Sequence, residues 1–208
     1  MFYIFYYYVS LHLLLNIKYF NIKYNCKIVS LIHSVISSAL SIYHLCSTDY
    51  NNFSNNDTID NIILIHSLSY FILDTFKCLY FSEITFFFHH LFSVLYILSS
   101  YLTSISGKNT ILGILLGEIS NPFLHCGWLL KYHKKRMYIY MWYLNTIIFG
   151  ISRLIFSPVF IYDIILTKTT FMFQKYILII SWFLFFSTGL VWIHKQIESY
   201  KKQNISIV

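Results

Sequence analysis

The feature that most restricts the fold of this chain is a succession of long apolar segments joined by short polar connections. Six segments are each long enough to cross a bilayer as a helix of about 20 residues. They lie at residues 28–47, 62–81, 85–103, 110–131, 138–161 and 174–195. A shorter apolar run at residues 1–15 is a possible seventh span, at the low end of spanning length. The pattern predicts an all-α bundle of helices within a membrane.

The composition supports a membrane protein over a soluble one. Of the 208 residues, 57% are hydrophobic and 11% are charged, whereas ordinary soluble domains carry about 25% charged residues. A soluble fold of this length could not hide so much apolar surface from water. The net charge of +7 would suggest nucleic acid in a soluble protein. Here the basic residues flank the apolar segments, so we expect membrane lipids as partners and no nucleic acid.

The distribution of lysine and arginine predicts the orientation. Basic residues concentrate in loop 16–27, in turn 131–137 and after residue 194, whereas loop 48–61 has none. Because excess basic charge marks the cytosolic side, we expect the C-terminus in the cytosol and loop 48–61 on the opposite side. That loop carries two glycosylation sequons, at Asn52 and Asn56. The four cysteines have no paired spacing, which predicts neither a disulfide framework nor a zinc site.

Several ionisable residues lie inside the predicted spans. A charged side chain near the bilayer centre costs roughly 2.5–3.5 kcal/mol on insertion scales. Such groups should therefore point inward and pair with one another. The residues concerned are Asp74, Lys77, His89, His90, Glu118, His125 and Arg153.

The depth of these residues predicts two polar layers. Glu118 and Arg153 each lie about eight residues, or about 12 Å, from the same end of their spans. We expect them to pair or to share a polar network, which could also serve only to lock two helices together. A second layer lies nearer the predicted cytosolic side and contains His33, Asp74, His89, His90 and His125.

Two kinds of role are open for the second layer. One histidine could act as a base or nucleophile, with Asp74 fixing its tautomer, which makes His89, His90 and Asp74 the candidate catalytic residues. Adjacent helical residues differ by about 100° around the axis, so only one of the two histidines can face a cavity squarely. Alternatively, Asp74 pairs locally with Lys77 at i+3, or Lys77 reaches the interface. The histidine clusters of membrane di-iron enzymes are missing, and we expect no metal.

Two prolines lie inside predicted spans. Pro122 closely follows Glu118 and Asn121, and Pro158 lies near the end of the fifth segment. Proline frees a backbone carbonyl and opens the helix. Either proline could produce a packing kink, and Pro122 could expose polar backbone to an internal site. The candidate residues for a lipid-binding or structural polar network are therefore Glu118, Arg153, Asn121 and His125.

The order of these motifs resembles the TLC-domain family, which includes the ceramide synthases. The resemblance rests on five elements and covers roughly residues 26–200: Ser30–His33, Tyr70–Asp74, His89–His90, Gly117–Phe123 with Trp128, and Arg153. It implies six helices around a central cavity, a location in the endoplasmic reticulum and a role in lipid synthesis, sensing or trafficking. The chain then divides into an N-terminal anchor and basic loop (1–25), the membrane domain (26–200) and a cytosolic tail (201–208), and it could form oligomers.

The resemblance also carries two expectations about activity. Ceramide synthases use the histidine pair and a later pair of aspartates for acyl transfer, and here His89 and His90 match the first part. Glu118 stands alone where the two acids would fall. The first expectation is therefore a non-enzymatic protein of lipid homeostasis, which binds or senses lipid or regulates membrane composition. The alternative is an N-acyltransferase that takes acyl-CoA as substrate and needs no other cofactor.

Overall fold

The computed structural model describes residues 8–11, 21–51, 53–81, 84–169 and 171–205. Most of the N-terminal anchor predicted at residues 1–15 lies outside this part of the chain, although residues 8–11 are helical. From residue 21 onward the described helices are α1 (Ile22–Ser47), α2 (Thr58–Tyr80), α3 (Ile84–Thr103), α4 (Gly107–Glu118), α5 (Asn121–Tyr132), α6 (Tyr138–Gly150), α7 (Ser157–Leu166) and α8 (Met172–Ile205). The predicted all-α fold is confirmed.

Five helical stretches of the described chain are long and apolar enough to cross a membrane. They are Ile22–Ser47, Thr58–Tyr80, Phe86–Thr103, Tyr138–Leu166 and Met172–Lys195. Each corresponds to one of the segments predicted from sequence. Their outer faces carry large exposed apolar side chains, among them Phe76, Leu102, Ile147, Val159 and Phe183. Such a surface suits lipid tails, because contact with hydrocarbon removes the cost of exposing it to water.

The fourth predicted segment, 110–131, is not one continuous helix. Helix α4 ends at Glu118 and α5 begins at Asn121, with Pro122 in its first turn. Proline has no N–H to continue the ladder of hydrogen bonds and is tolerated in the first turn of a helix. The segment predicted at 110–131 is therefore divided into two short helices, and the expected effect of Pro122 on the helix is seen.

A π-helical segment, Ile151–Phe156, joins α6 to α7 and contains Arg153. Pro158 follows it in the first turn of α7. The Ser157 hydroxyl donates to the Ser152 carbonyl at 2.8 Å and bonds the segment to the helix that follows. Wider helical turns of this kind alter the direction of side chains and occur often at functional sites.

The end of the bundle that contains loop 48–57, here termed the acidic end, is held together by Asn56. Its Nδ2 donates to the Ser100 carbonyl at 3.0 Å, and its Oδ1 accepts from the Gly107 amide at 2.7 Å. The amide nitrogen to which a glycan would be attached thus donates a hydrogen bond to a carbonyl of α3. Asn52, the other sequon residue, lies outside the described residues. At the start of α2, Asp57 and Asp60 form a reciprocal capping box.

The opposite end, here termed the basic end, brings together the start of α1 and the ends of α2 and α5. The Tyr24 hydroxyl lies 3.0 Å from His133 Nε2, within hydrogen-bond distance. Lys23 Nζ lies 5.5 Å above the ring of Phe81. The Tyr24–His133 contact brings the described part of loop 16–27 and turn 131–137 to the same end, as the charge pattern predicts.

Close packing inside the bundle depends on small residues. Helix α1 buries a row of serines, which lets its neighbours approach: Ser30, Ser34, Ser37, Ser38 and Ser41. Helix α5 approaches α6 through Gly127, where an added Cβ would lie 2.5 Å from Cδ1 of Trp142. Small residues at helix contacts are typical of membrane bundles, where van der Waals packing replaces the hydrophobic effect.

Candidate functional site

The two adjacent histidines of α3 face different surroundings. His90 Nε2 lies 3.0 Å from Asp74 Oδ2, and Lys77 Nζ lies 2.6 Å from Asp74 Oδ1. Asp74 therefore bridges a lysine one helical turn away and a histidine on the next helix. This ionic cluster of Asp74, Lys77 and His90 satisfies the carboxylate from both sides, which compensates part of the cost of burying it. The local pairing of Asp74 with Lys77 was one of the alternatives left open by the sequence.

His89 instead borders a cavity of about 110 Å³, here termed the apolar cavity. Its walls come from α2, α3, α4, α7 and α8 and are formed chiefly by Phe71, Phe88, Phe92, Phe160, Leu178, Trp182 and Phe185. His89 and Glu118 bring an imidazole and a carboxyl group to its lining, and Ser93, Tyr96, Ser157, Ser181 and Thr188 add hydroxyls. An apolar chamber with a few convergent polar groups is typical of sites for small apolar ligands.

Glu118 and Arg153 meet at the break between α4 and α5 without forming a direct ion pair in the described structure. Glu118 Oε2 accepts a hydrogen bond of 3.0 Å from Asn121 Nδ2. Arg153 Nη2 donates to the Gly117 carbonyl at 3.3 Å, and its guanidinium carbon lies 3.2 Å from the centre of the Phe185 ring. The two charged residues, which were expected to pair or to share a polar network, share one polar region through amide and aromatic contacts.

A second buried cluster surrounds His33. Its ring stacks on Tyr70 with centroids 3.8 Å apart, and the Tyr8 hydroxyl lies 3.1 Å from His33 Nδ1 and 3.0 Å from His66 Nε2. The ring of Phe71 contacts both His33 and His90, and Lys77 Nζ lies 5.5 Å from the centre of the Tyr70 ring, so this cluster adjoins that of Asp74. Sequence analysis placed His33 in the Asp74 layer and missed Tyr8 and His66, since neither has a motif or a spacing that distinguishes it.

The acidic end contains another pair that sequence analysis missed. His44 Nε2 lies 2.8 Å from Asp60 Oδ1, and both side chains are fully buried. Asp57 Oδ2 lies 3.7 Å from the same nitrogen. Because both aspartates also close the capping box of α2, this cluster has a sufficient structural role.

Two groups of side chains could converge on a metal ion: Asp74 with Cys78 and His90, and His44 with Asp57 and Asp60. The Lys77 ammonium already supplies a cation to the first group. In the second group a direct hydrogen bond joins His44 to Asp60, and the capping box uses Asp60 Oδ2 and Asp57 Oδ1. In each group the histidine is therefore already paired with an aspartate of the same group.

His125 lies away from the histidine pair, in a second cavity of about 340 Å³ toward the basic end. We term it the basic cavity. It is lined by Lys27, Phe86, Asn121, Leu124, His125, Trp128, Trp142, Asn145, Phe149, Trp192 and Lys195. The ring of Trp192 contacts His89, which borders the apolar cavity, at a centroid distance of 5.5 Å. The histidines of the predicted layer thus have four different surroundings.

Comparison with known protein families identifies the chain. The family model of the TLC domain matches residues 23–197, nearly the whole of the described bundle. The chain belongs to the TLC-domain family. It is a multi-pass membrane protein, as its apolar helices independently indicate. No curated protein matches its sequence. The resemblance noted from the histidine pair and the Gly117–Phe123 motif is confirmed.

Proposed function

We propose that this TLC-domain protein binds a membrane lipid in the apolar cavity and acts in lipid homeostasis by sensing lipid or regulating membrane composition. The observation that carries the proposal is the cavity itself, which has aromatic walls, the imidazole of His89 and the carboxyl group of Glu118. Part of a lipid tail would pack against the aromatic walls, since a cavity of about 110 Å³ is smaller than the sites that enclose whole small molecules. A polar group close to the tail, such as an amide or hydroxyl, would find hydrogen-bonding partners in His89 and Glu118.

The proposal includes a place and an orientation. The family and the lipid ligand favour the membrane of the endoplasmic reticulum. The basic end would face the cytosol, since Lys131 lies in the last turn of α5 and Lys134, Lys135 and Arg136 follow in the α5–α6 connection. The C-terminal end of α8 would then lie on the cytosolic side. The division of the chain into an N-terminal anchor, a membrane domain and a tail belongs to the same proposal.

A second candidate function, an acyl-CoA-dependent N-acyltransferase, is favoured by the position of His89 on the cavity wall. In that reaction the amine nitrogen attacks the thioester carbonyl, a C–N bond forms and the C–S bond breaks. His89 would take the proton from the amine and return it to the departing thiolate of coenzyme A. His90, hydrogen-bonded to Asp74, would hold the helix in place instead of reacting.

One experiment tests both functions on the full-length protein purified in mild detergent. Bound lipids are extracted and compared by mass spectrometry with the bulk membrane, for wild type, His89→Ala and His90→Ala. In parallel, the same samples receive labelled acyl-CoA and a panel of sphingoid and other amine acceptors. Lipid binding predicts one enriched lipid class that His89→Ala reduces, with no acylated product. An acylated product that His89→Ala abolishes would favour the enzyme, and no enrichment over bulk lipid would refute the binding function.

A further inference from the structure

The basic cavity has a charge pattern that the apolar cavity lacks. Lys27 from α1 and Lys195 from α8 line it, and none of its lining residues is acidic. Neither lysine forms an ion pair with an acidic side chain among the described residues. Two positive charges from opposite ends of the sequence therefore line one concave site whose lining residues include no acidic side chain.

The deeper wall of this cavity contains polar groups that are buried and not satisfied by the described protein. Asn145 is 2% exposed and His125 is 8% exposed. Asn145 Oδ1 and His125 Nδ1 have no hydrogen-bond partner in the described part of the chain. A buried polar atom without a partner costs about 1–3 kcal/mol. A ligand with hydrogen-bonding groups would remove part of this cost.

The remaining walls are aromatic. Trp128, Trp142 and Trp192 line the cavity together with Phe86 and Phe149. A volume of about 340 Å³ is of the size that small-molecule sites have. A free inorganic anion would fill little of it and would not reach across to the aromatic walls. A ligand that joins an anionic group to an apolar body would satisfy the lysines and the indole rings together.

We propose that the basic cavity binds an anionic glycerophospholipid from the leaflet at the basic end. Its phosphate lies between Lys27 and Lys195, since ammonium groups pair strongly with phosphate oxygens. Its glycerol and first acyl carbons pack against the three tryptophans, and its ester carbonyls meet Asn145 and His125. This site is distinct from the apolar cavity, so it does not depend on the function proposed for that cavity.

The test is a titration of the full-length protein in detergent with dihexanoyl phosphatidylglycerol, read by tryptophan fluorescence. Dihexanoyl phosphatidylcholine, decanoyl-CoA and inorganic phosphate are titrated in parallel. The variant Lys27→Gln/Lys195→Gln should bind phosphatidylglycerol at least about tenfold more weakly than wild type, because it loses both phosphate contacts. The control Lys134→Gln/Lys135→Gln removes the same charge from exposed positions of the same end. It should retain wild-type affinity, as should Lys195→Arg.

The outcomes separate the possible sources of the anion. Equal losses in the test and control variants would show general attraction to surface charge and overturn the proposal. Tighter binding of decanoyl-CoA than of phosphatidylglycerol would assign the site to a thioester substrate and overturn the proposal. Inorganic phosphate that binds as tightly as phosphatidylglycerol would show that the acyl chains contribute nothing to binding, which would also overturn it. Ser181→Phe, which fills only the apolar cavity, should leave phosphatidylglycerol binding unchanged. A loss of ligand binding at the basic cavity is thereby distinguished from a loss of lipid binding at the apolar cavity.

Discussion

His89 and His90 are adjacent in sequence, yet they lie on two sides of α3 that have different surroundings. On one side, His90 completes the ionic cluster with Asp74 and Lys77. On the other, His89 borders the apolar cavity and has aromatic neighbours, Phe185 and Trp192. His90 has an ionic partner within 3.0 Å, whereas His89 borders space that a ligand can enter.

The comparison indicates that the histidine pair is not one functional unit. Neighbouring residues of a helix point in directions about 100° apart. His90 therefore lies between α2 and α3, whereas His89 lies on the wall of the apolar cavity. The ionic cluster should therefore govern stability, whereas the cavity side should govern binding. Substitutions on the two sides can test this division separately.

The largest effect on stability is expected from Asp74→Asn. The substitution leaves the Lys77 ammonium without its carboxylate inside a span, and breaking a buried ion pair costs about 3–5 kcal/mol. The free energy of unfolding, measured by denaturant titration in detergent, should fall by that amount. Asp49→Asn, at an exposed position of the acidic end, is the matched control and should change little. Equal stability of the two variants would show that the ionic cluster is not structural.

The double substitution Asp74→Leu/Lys77→Met sharpens the first prediction. It removes both charges together, and apolar replacement of a buried pair is often neutral. Most of the stability lost in Asp74→Asn should return in the same titration. A double variant as unstable as the single one would show that the hydrogen bond to His90, and not the unpaired lysine, dominates the loss.

A smaller effect is expected from His90→Phe, which deletes the second partner of Asp74. Loss of a hydrogen bond to a buried charged group costs about 1.5–3 kcal/mol. The same substitution at His89 enters an aromatic environment and should cost less than about 1 kcal/mol, because it exchanges rings of similar size. Paired unfolding curves check the difference. A greater loss at His89 than at His90 would reverse the assignment of the two sides.

The smallest effect on stability is expected from Glu118→Gln. Asn121 Nδ2 can still donate to the new amide oxygen, and no salt bridge to Arg153 is lost in the described structure. The free energy of unfolding should therefore change by less than about 1 kcal/mol. The reference variant Glu118→Leu removes the acceptor altogether and should cost more. A large loss in Glu118→Gln itself would indicate a charge interaction with Arg153 stronger than the geometry suggests.

Sequence alone predicted the membrane bundle and the positions of its spans because apolar length is a local property. It also predicted that His89 and His90 diverge, since the direction of a side chain around one helix follows from the helical repeat. The break before Pro122 was only partly foreseen. Proline predicts a disturbance, but it does not determine whether the helix bends or ends.

The remaining contacts depend on which helix faces pack together. The depths of Glu118 and Arg153 are similar, yet depth does not fix rotation about the helix axis, and the two residues reach Asn121 and Gly117 instead. The contact of Tyr8 with His33 and His66 joins three separate segments. His44 and Asp60 likewise belong to neighbouring helices. No spacing within one segment could predict these pairs.

The central claim is that the apolar cavity is the lipid site, and the most direct test is to fill it. Ser181→Phe adds a ring to the cavity wall, whereas Ser187→Phe adds the same ring to an exposed position of α8. Lipids that remain bound after purification are measured by mass spectrometry for both variants and wild type. The account predicts that Ser181→Phe loses the enriched lipid and that Ser187→Phe keeps it. Retention of that lipid by a folded Ser181→Phe variant would contradict the account.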